Sequence, residues 1–216
     1  AEVGLLASMG FATASIFRKP KVGILATGNE LLEPGTEQSP GMIYDSNSYS
    51  VAAATRKYGG IPEIIGIAKD NHGSIEEKLK QSLEFDILIT SAGVSVGDYD
   101  VVKNVLSNHG RIDFWSVNMR PAKPLAFGVL NGYKDRQVPL IGLPGNPVSA
   151  ITVFDNVLRP VIAHMKGLHG LSPEIIAEPV LSTDIHSASG RTDFIRVKIR
   201  TDTDSAGLFA DPVLGK

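Results

Sequence analysis

The segment Asp86–Thr90, with the sequence DILIT, restricts the fold of this chain more than any other. Apolar residues occupy both faces of the strand that it predicts, so both faces must be covered in the folded protein. Such a strand is typical of the centre of a parallel sheet with helices packed on either side. The chain can build that core, because 43% of its 216 residues are hydrophobic.

Strand and helix patterns alternate before and after this segment. Further strands are predicted at residues 22–25, 61–67, 112–117, 125–130 and 139–143. The helix signals are a cap at Asp45 or Ser46 with an end at Gly59-Gly60, a capping box of Ser74 and Glu77, a cap at Asp98, and Asn146-Pro147 before an amphipathic stripe that Pro160 should kink. We therefore expect an α/β fold of three layers, with a mostly parallel sheet and right-handed crossovers.

Turn-rich residues Gly167–Pro173 separate this α/β domain from a small β module. There, Phe194–Arg200 alternates apolar and basic residues, which predicts a strand with Val180–Ile185 as its partner. We expect three parts: a linker at 1–19, the α/β domain at 20–167 and an incomplete β module at 171–216. The chain opens without methionine and stops without a terminating element, so we expect sequence to be missing on both sides.

Composition excludes several classes of protein. With 21 basic and 23 acidic residues, the net charge of −2 offers no footprint for nucleic acid or an acidic membrane. No apolar run approaches the roughly 18 residues of a membrane span. The absence of cysteine excludes disulfides, thiolate metal sites and a thiol nucleophile, and it is compatible with a reducing cytosol. The five histidines have no ligand spacing, so no zinc site is predicted.

The turn after the central strand has the strongest chemical signature in the sequence. Small residues at Ser91, Gly93, Ser95 and Gly97 let backbone N–H groups approach an anion such as phosphate at the start of a helix. Asp98 and Asp100 follow at once, and carboxylates beside a phosphate normally imply a divalent cation. The alternative is that Asp98 only caps the helix and Asp100 only complements its dipole.

Other polar residues follow predicted strands, where ligands of open α/β sheets bind. Glu30 and Asp70 are strand-end acids, with solvated loop positions as the alternative. Asp45 and Asn47 lie at a helix start, where capping alone would explain them. Prolines fix the backbone around Arg120 and Lys123, which favours anion binding by these cations. The remaining candidates are Pro144, Asn146 and Ser149, in the turn before the last helix; Ser149 has no His–Asp pattern that would make it a hydrolase nucleophile.

These residues alone predict an α/β domain that binds a phosphate-bearing ligand together with a divalent cation. Five motifs then resemble the molybdopterin molybdotransferase family, which includes the E domain of gephyrin. They are TGNEL at 27–31, IYDSN at 43–47, AGVSVGDYD at 92–100, RPAKPLAFG at 120–128 and LPGNPVSA at 143–150. The resemblance extends over the whole chain and includes Gly190-Arg191 through Arg196 in the β module.

The resemblance implies an enzyme that inserts molybdate into adenylylated molybdopterin, releasing AMP with the help of Mg2+. It implies that Asp100 is the catalytic acid and that Glu30 and Asp70 are acidic site residues. Metal ligands would come from Asp98, Asp100 and Glu30. Substrate-binding residues would be Asp45, Asn47, Ser91, Gly93, Ser95, Gly97, Arg120, Lys123, Pro144, Asn146, Ser149 and Arg191. It also implies a cytoplasmic homodimer that contacts other molybdenum cofactor biosynthesis proteins.

The sequence departs from the family pattern at two positions. Ala92 and Ala122 stand where the family often has glycine. Residues 1–19 resemble the tail of the family's N-terminal region, and 171–216 resemble the first part of its C-terminal β-barrel. The alternatives are a molybdopterin adenylyltransferase or nucleotide hydrolase of the same fold, and a non-enzymatic scaffold. Arg120, Lys123 and the β module favour the molybdotransferase, because the adenylyltransferase and hydrolase relatives resemble the sheet domain only.

Overall fold

The computed structural model describes residues 1–91, 99–132, 136–168, 177–201 and 207–213. For residues 99–103 and 114–115 it describes the backbone alone. The strands are β1 Lys21–Thr27, β2 Leu31–Leu32, β3 Ile43–Tyr44, β4 Ile61–Ala68, β5 Ile87–Ser91, β6 Gly110–Ser116, β7 Met119–Arg120, β8 Pro124–Asn131, β9 Gln137–Leu143, β10 Val180–Leu181, β11 Thr192–Asp193, β12 Val197–Thr201 and β13 Leu208–Pro212. The helices are α1 Glu2–Ser8, α2 Asn47–Lys57, α3 His72–Ser82, α4 Tyr99–His109, α5 Pro147–Val153 and α6 Arg159–Met165.

Six strands form the main sheet, in the order β4-β1-β5-β9-β8-β6. The first four are parallel, and β5, the segment that the sequence placed at the centre, is buried along its length between β1 and β9. The mostly parallel sheet is therefore confirmed. Alternation with helices stops after α4, however, because β6, β8 and β9 follow one another through short connections and pair antiparallel.

Two apolar clusters, one on each face of this sheet, make the three layers. Strand periodicity separates them: Ile87 and Ile89 point into the cluster under α2, α5 and α6, whereas Leu88 points into the cluster under α3 and α4. All three side chains are fully buried, and each contributes roughly 1.5–3 kcal/mol of transfer free energy. The two-faced apolar run thus positions the sheet between its helices, as predicted.

Helix boundaries agree with the sequence in part. Gly59, with φ of 87°, ends α2 as predicted, and the Asp45 carboxylate accepts a hydrogen bond from the Ser48 N–H at 3.0 Å. The capping box of Ser74 and Glu77 is wrong. Helix α3 begins at His72, and Asn71 caps it by accepting from the Ser74 N–H at 2.9 Å. Asparagine is as favourable as serine at a helix N-cap, and Asn71 lies closer than Ser74 to the end of β4, the strand that precedes α3.

The predicted irregularity at Pro160 takes the form of a π-helical turn. Residues Phe154–Leu158 form this turn between α5 and α6, and Pro160 occupies the first turn of α6. Proline has no N–H and its ring crowds the preceding turn, so a regular α-helix cannot continue through this point. The turn still buries Phe154 and Leu158 in the core.

The β module differs most from expectation. Strand β12 pairs antiparallel with β13, and β10 pairs parallel with β13, so the sheet order is β10-β13-β12. The predicted pairing of Val180–Ile185 with Phe194–Arg200 is therefore wrong. Residues 192–193, just before the predicted strand, pair with 119–120 of the α/β domain, and the observed strand begins only at Val197. Alternation identifies a strand but does not identify its partner.

Strands β2 and β3 pair parallel across the loop at 33–42, so this segment is not the hairpin that its turn residues allowed.

Within the described part of the chain, no helix is long and apolar enough to cross a membrane.

Candidate functional site

The carboxyl ends of the parallel strands bring the predicted turns to one edge of the sheet, called here the carboxyl edge. Ala26 of β1 pairs with Ser91 of β5, and Ser91 pairs with Leu143 of β9. The turn at 27–30, Ser91 and the turn at 144–146 therefore lie along this edge, as the sequence predicted. Gly93, Ser95, Gly97 and Asp98, which follow Ser91, lie outside the described residues.

The connection between β6 and β8 reaches the same edge. Ser116 pairs with Pro124, and Ala126 pairs with Gly142 near the end of β9. Since β8 runs antiparallel to β9, the residues before Pro124 lie beside the end of β9. Arg120 and Lys123 are thus brought to the carboxyl edge, and both side chains are exposed.

A reciprocal pair of hydrogen bonds joins two of the strand-end turns. The Asn29 N–H donates to Asp70 Oδ2 at 2.9 Å, and the Asp70 N–H donates to Asn29 Oδ1 at 3.1 Å. Lys69 Nζ lies 3.5 Å from the carbonyl oxygens of both Asn29 and Leu31. The sequence reasoning missed Asn29 and Lys69, although each directly precedes a predicted site acid. Their contacts fix the two turns relative to one another.

Glu30 folds back over the glycine that precedes its turn. A Cβ at Gly28 would lie 2.6 Å from Glu30 Oε2, so a side chain at this position would displace the carboxylate. The Gly28 φ of 152° is also one that other residues rarely adopt. Glu30 and Asp70 therefore lie at the ends of neighbouring strands, with Glu30 exposed and Asp70 half-buried.

The start of α2 carries buried polar atoms that lack partners. Asp45 and Asn47 are 2% and 7% exposed. Asn47 Nδ2 donates to the Gly145 carbonyl at 2.8 Å, which ties α2 to the turn after β9. Asp45 Oδ2, Asn47 Oδ1 and Thr27 Oγ1 are buried without a hydrogen-bond partner among the described residues. Leaving such atoms unpaired costs about 1–3 kcal/mol each, so capping alone does not explain Asp45 and Asn47.

The turn before α5 is held by its own side chains. Asn146 Oδ1 accepts from the N–H groups of Val148 and Ser149 at 3.0 and 3.2 Å, which makes Asn146 the cap that the sequence predicted. Pro144 is buried at the end of β9, and Ser149 is 8% exposed in the first turn of α5. Asn146 and Pro144 thus shape the backbone of this turn.

The oxygen atoms at the carboxyl edge suit a hard cation. Mg2+ is usually held by one or two carboxylates together with water and substrate phosphates. Asp45 Oδ2 and Asn47 Oδ1, which have no hydrogen-bond partner among the described residues, are oxygen ligands that suit such a cation. No three His, Cys, Asp or Glu side chains come together as a metal site within the ranges that the structure describes. Asp98 and the Asp100 side chain, two of the predicted metal ligands, lie outside the described residues.

Arg120, Lys123 and Arg191 line one cavity of about 460 Å³, called here the basic cavity. Its walls come from residues 117–123 and 188–191, so it needs both the α/β domain and the β module. Asp193 holds Arg191, accepting from its Nε at 2.8 Å, and also accepts from Ser187 Oγ at 2.9 Å. The Arg191 hydrogen bond lowers the pKa of Asp193, so this carboxyl is an anion near neutral pH. Lys123 and Arg120 add two further positive charges.

The segment between the cations has an unusual backbone. Ala122 has φ of 80° and is 6% exposed. This left-handed conformation is the reason that glycine suits the position. The alanine methyl group packs into the core cluster under α2 and α5, and that contact offsets part of the strain.

Asp100 belongs to the first turn of α4 by its backbone, and its side chain is outside the described residues. The predicted site residues therefore form two described groups. Asn29 with Asp70, and Asn47 with Gly145, join turns along the carboxyl edge. Arg120, Lys123 and Arg191 form the basic cavity, which Ser149 does not line.

Comparison with known proteins identifies a family that this chain matches. The sequence model of a family described as probable molybdopterin binding domain matches residues 23–164. Molybdopterin molybdenumtransferase from Haemophilus influenzae is 37% identical over 193 residues, covering 89% of this chain and 46% of that protein. The enzyme of the same name from Nostoc is 35% identical over 198 residues, covering 90% of this chain and 45% of the relative. The chain thus spans about half the length of the curated relatives it matches.

A solved structure supports the same relationship. The molybdopterin biosynthesis protein MoeA from Pyrococcus horikoshii superposes with a TM-score of 0.78 at 29% sequence identity. The match covers 99% of this chain and 50% of that one, so it includes the β module as well as the sheet domain.

Proposed function

This chain belongs to the family of probable molybdopterin binding domains, and from that premise we propose that it acts in the last step of molybdenum cofactor synthesis. In that step molybdate is inserted into adenylylated molybdopterin and AMP is released. The basic cavity carries the proposal, because it places three cations beside the carboxyl edge. A dianion such as molybdate needs fixed positive charge of this kind.

The three cations would contact an oxyanion in different ways. Arg120 and Arg191 can each form two parallel hydrogen bonds to an oxyanion, whereas Lys123 acts as a compact point charge. The Asp193 carboxylate holds the Arg191 side chain, and β7 pairs with β11, which orders the backbone at Arg120. The cavity is therefore organised before the ligand arrives, which lowers the entropic cost of binding.

The nucleotide half of the substrate would occupy the carboxyl edge. We assign the phosphoanhydride to the backbone of Ser91 and the glycine-rich turn that follows it, and we assign catalysis to Asp100, Glu30 and Asp70. Mg2+, when bound, neutralises phosphate charge there. Asp45 and Asn47 offer it unpartnered oxygens, in addition to Asp98, Asp100 and Glu30 from the sequence analysis.

A molybdopterin adenylyltransferase or a nucleotide hydrolase would need only the sheet domain, and a scaffold would need no oxyanion site. The contribution of Arg191 from the β module to the basic cavity supports molybdate insertion over these alternatives. We also propose that the protein is a homodimer in the cytoplasm and that it contacts other molybdenum cofactor biosynthesis proteins. The family resemblance supports these proposals. A chain without cysteine is compatible with a reducing compartment.

The activity is tested by incubating the purified protein with adenylylated molybdopterin, Mg2+ and molybdate, and measuring AMP by chromatography. We expect AMP release that depends on added molybdate. AMP release at an equal rate without molybdate would instead indicate a nucleotide hydrolase. No release under either condition would contradict both enzymatic assignments.

Replacing Lys123 by alanine should weaken molybdate binding, and more so at low salt. The expected loss is about tenfold at 20 mM salt and about threefold at 500 mM, because ions screen an exposed charge. Isothermal titration with molybdate at the two salt concentrations measures both values. Lys198→Ala is the matched control, since Lys198 is exposed on β12 and does not line the basic cavity. Equal affinities for the two variants would show that Lys123 is an ordinary surface lysine.

A further inference from the structure

A small cavity of about 270 Å³, called here the Tyr58 cavity, opens at the edge of the sheet where β1 and β4 begin. This edge is opposite the carboxyl edge, and the last residues of α2 and α6 reach it. The charged side chains that line the cavity are Lys57, Arg159 and Lys166, and no acid of the described residues lines it. Three cations thus share one concave place on a chain whose net charge is −2.

Lys166 joins the ends of the two helices. Its Nζ donates a hydrogen bond to the Tyr58 carbonyl at 3.0 Å. A Cβ at Gly59 would lie 2.4 Å from the same Nζ, so a side chain at this position would displace the ammonium group. An ammonium group has three N–H donors, and the described residues engage one of them. The charge of Lys166 is therefore fixed in place with donors left for a ligand.

The Tyr58 ring holds the other two cations. Lys57 Nζ lies 5.3 Å from the ring centre and Arg159 Cζ lies 5.2 Å from it, both at cation–π distance. The ring itself stacks on Phe154 of the core, with the two ring centres 6.1 Å apart. All three positive charges are thus arranged around one residue whose position the core determines.

The described residues do not neutralise these charges. Lys57 and Lys166 form no ion pair with a carboxylate within the described part of the chain, and Asp155, which accepts from the Tyr58 hydroxyl, does not line the cavity. The C-terminal ends of α2 and α6 attract the two lysines. They do not account for Arg159, which begins α6 at the other end of that helix. Three like charges brought together in this way repel one another unless an anion lies between them.

We propose that the Tyr58 cavity binds a phosphate group. A phosphate dianion has oxygens that can accept from two ammonium groups and a guanidinium at the same time. The volume is below the range of about 300–1,000 Å³ that is usual for larger ligands, so it suits a phosphate group without a base or a sugar. The ligand is either free phosphate or the terminal phosphate of an ester whose remainder stays outside. This site is separate from the basic cavity, which lies at the carboxyl edge.

The test is a titration of the 15N-labelled 216-residue chain with inorganic phosphate at constant ionic strength, followed by NMR. The amide resonances of Gly59 and Leu168, which both line the cavity, should shift and saturate together. Lys166→Gln removes a charged donor and should weaken this binding about tenfold, which corresponds to about 1.4 kcal/mol. Lys57→Gln should weaken it about threefold, because Lys57 is the more exposed of the two.

Arg56→Gln is the matched control, since Arg56 is an exposed cation in the last turn of α2 that does not line the cavity. It should leave the phosphate affinity within about twofold of wild type. Lys123→Gln, in the basic cavity, should likewise leave the Gly59 titration unchanged. Methyl phosphate distinguishes the two sources of the ligand: it should bind as well as inorganic phosphate if the ligand is an ester, and more weakly if the ligand is the free ion.

Absence of saturable shifts at Gly59 and Leu168 in the wild type would overturn the proposal. So would equal affinities for wild type, Lys57→Gln and Lys166→Gln, since the lysines would then serve only the helix ends. A loss for Arg56→Gln as large as that for Lys166→Gln would overturn it too, because it would show general attraction to a basic surface. If Lys166→Gln did not fold, as judged by circular dichroism, Lys57→Gln would decide. The titration involves no turnover, so its result does not depend on whether the protein inserts molybdate.

Discussion

Asp100→Ala is expected to reduce molybdate-dependent AMP release by about 10²–10⁴-fold, which is the usual contribution of a catalytic acid or base. The backbone of Asp100 lies in the first turn of α4, and we propose that its carboxylate acts together with Glu30 and Asp70. A carboxylate at an exposed helix start stabilises a fold by only about 0.3–1 kcal/mol. The variant should therefore lose activity while its melting temperature changes by a few degrees at most.

Glu77→Ala is the matched control for this experiment. Glu77 is an exposed acid of α3, outside the carboxyl edge, and its removal changes the net charge by the same amount. It should keep wild-type turnover. If Asp100→Ala also kept wild-type turnover, Asp100 would be a helix-dipole residue and the catalytic acid would have to be sought among Asp45, Glu30 and Asp70.

The largest expected effect on stability comes from Asp86, at the opposite edge of the sheet. Its side chain is only 5% exposed, and it accepts hydrogen bonds from the guanidinium groups of Arg18 and Arg136 and from the Lys21 N–H. The Arg18 hydrogen bond is the main cause that lowers the pKa of Asp86 to about 2. Asp86→Asn should lower the free energy of unfolding at pH 7 by about 2–3 kcal/mol, since two arginines lose their charged acceptor.

The pH dependence of this effect has a definite sign. The pKa of Asp86 is lower in the folded protein, about 2, than its ordinary value of 3.8. Its contribution is therefore complete above about pH 4–5 and is lost as the pH falls towards 2. Urea unfolding of wild type and Asp86→Asn should converge over this range. Asp113→Asn, which breaks an exposed pair with Arg111, should cost less than about 1 kcal/mol. A constant difference between wild type and Asp86→Asn down to pH 2 would contradict the ionic origin.

The sequence predicted the sheet domain well because its signals are local. The run at 86–90 has only one way to bury two apolar faces, and Gly59 and Asn146 mark helix ends by their own chemistry. The antiparallel connection of β6, β8 and β9 was missed because strand direction depends on the length and path of the connections. Ser74 lost the capping role to Asn71, since two polar residues three positions apart competed for one helix start.

The sequence predicted candidate residues for the site, but it did not predict how they are arranged in space. The flanking prolines selected Arg120 and Lys123, whereas strand-end position was enough to select Glu30 and Asp70. It could not find Asn29, whose importance lies in a contact with Asp70 across 41 positions. Nor could it show that Arg191 lines one cavity with Arg120 and Lys123, because that depends on how residues 188–191 fold against 117–123.

The basic cavity also has a consequence for the order of folding. Arg120 and Arg191 lie about 70 positions apart, and the docking of 192–194 onto 118–120 brings their segments together. Closing a loop of that length carries an entropic cost that local helix and strand contacts do not. The sheet, with its carboxyl edge, can therefore form while the cavity is still absent. During synthesis, such an intermediate has every strand of the main sheet but lacks the basic cavity, which forms only when the chain has emerged beyond Arg191.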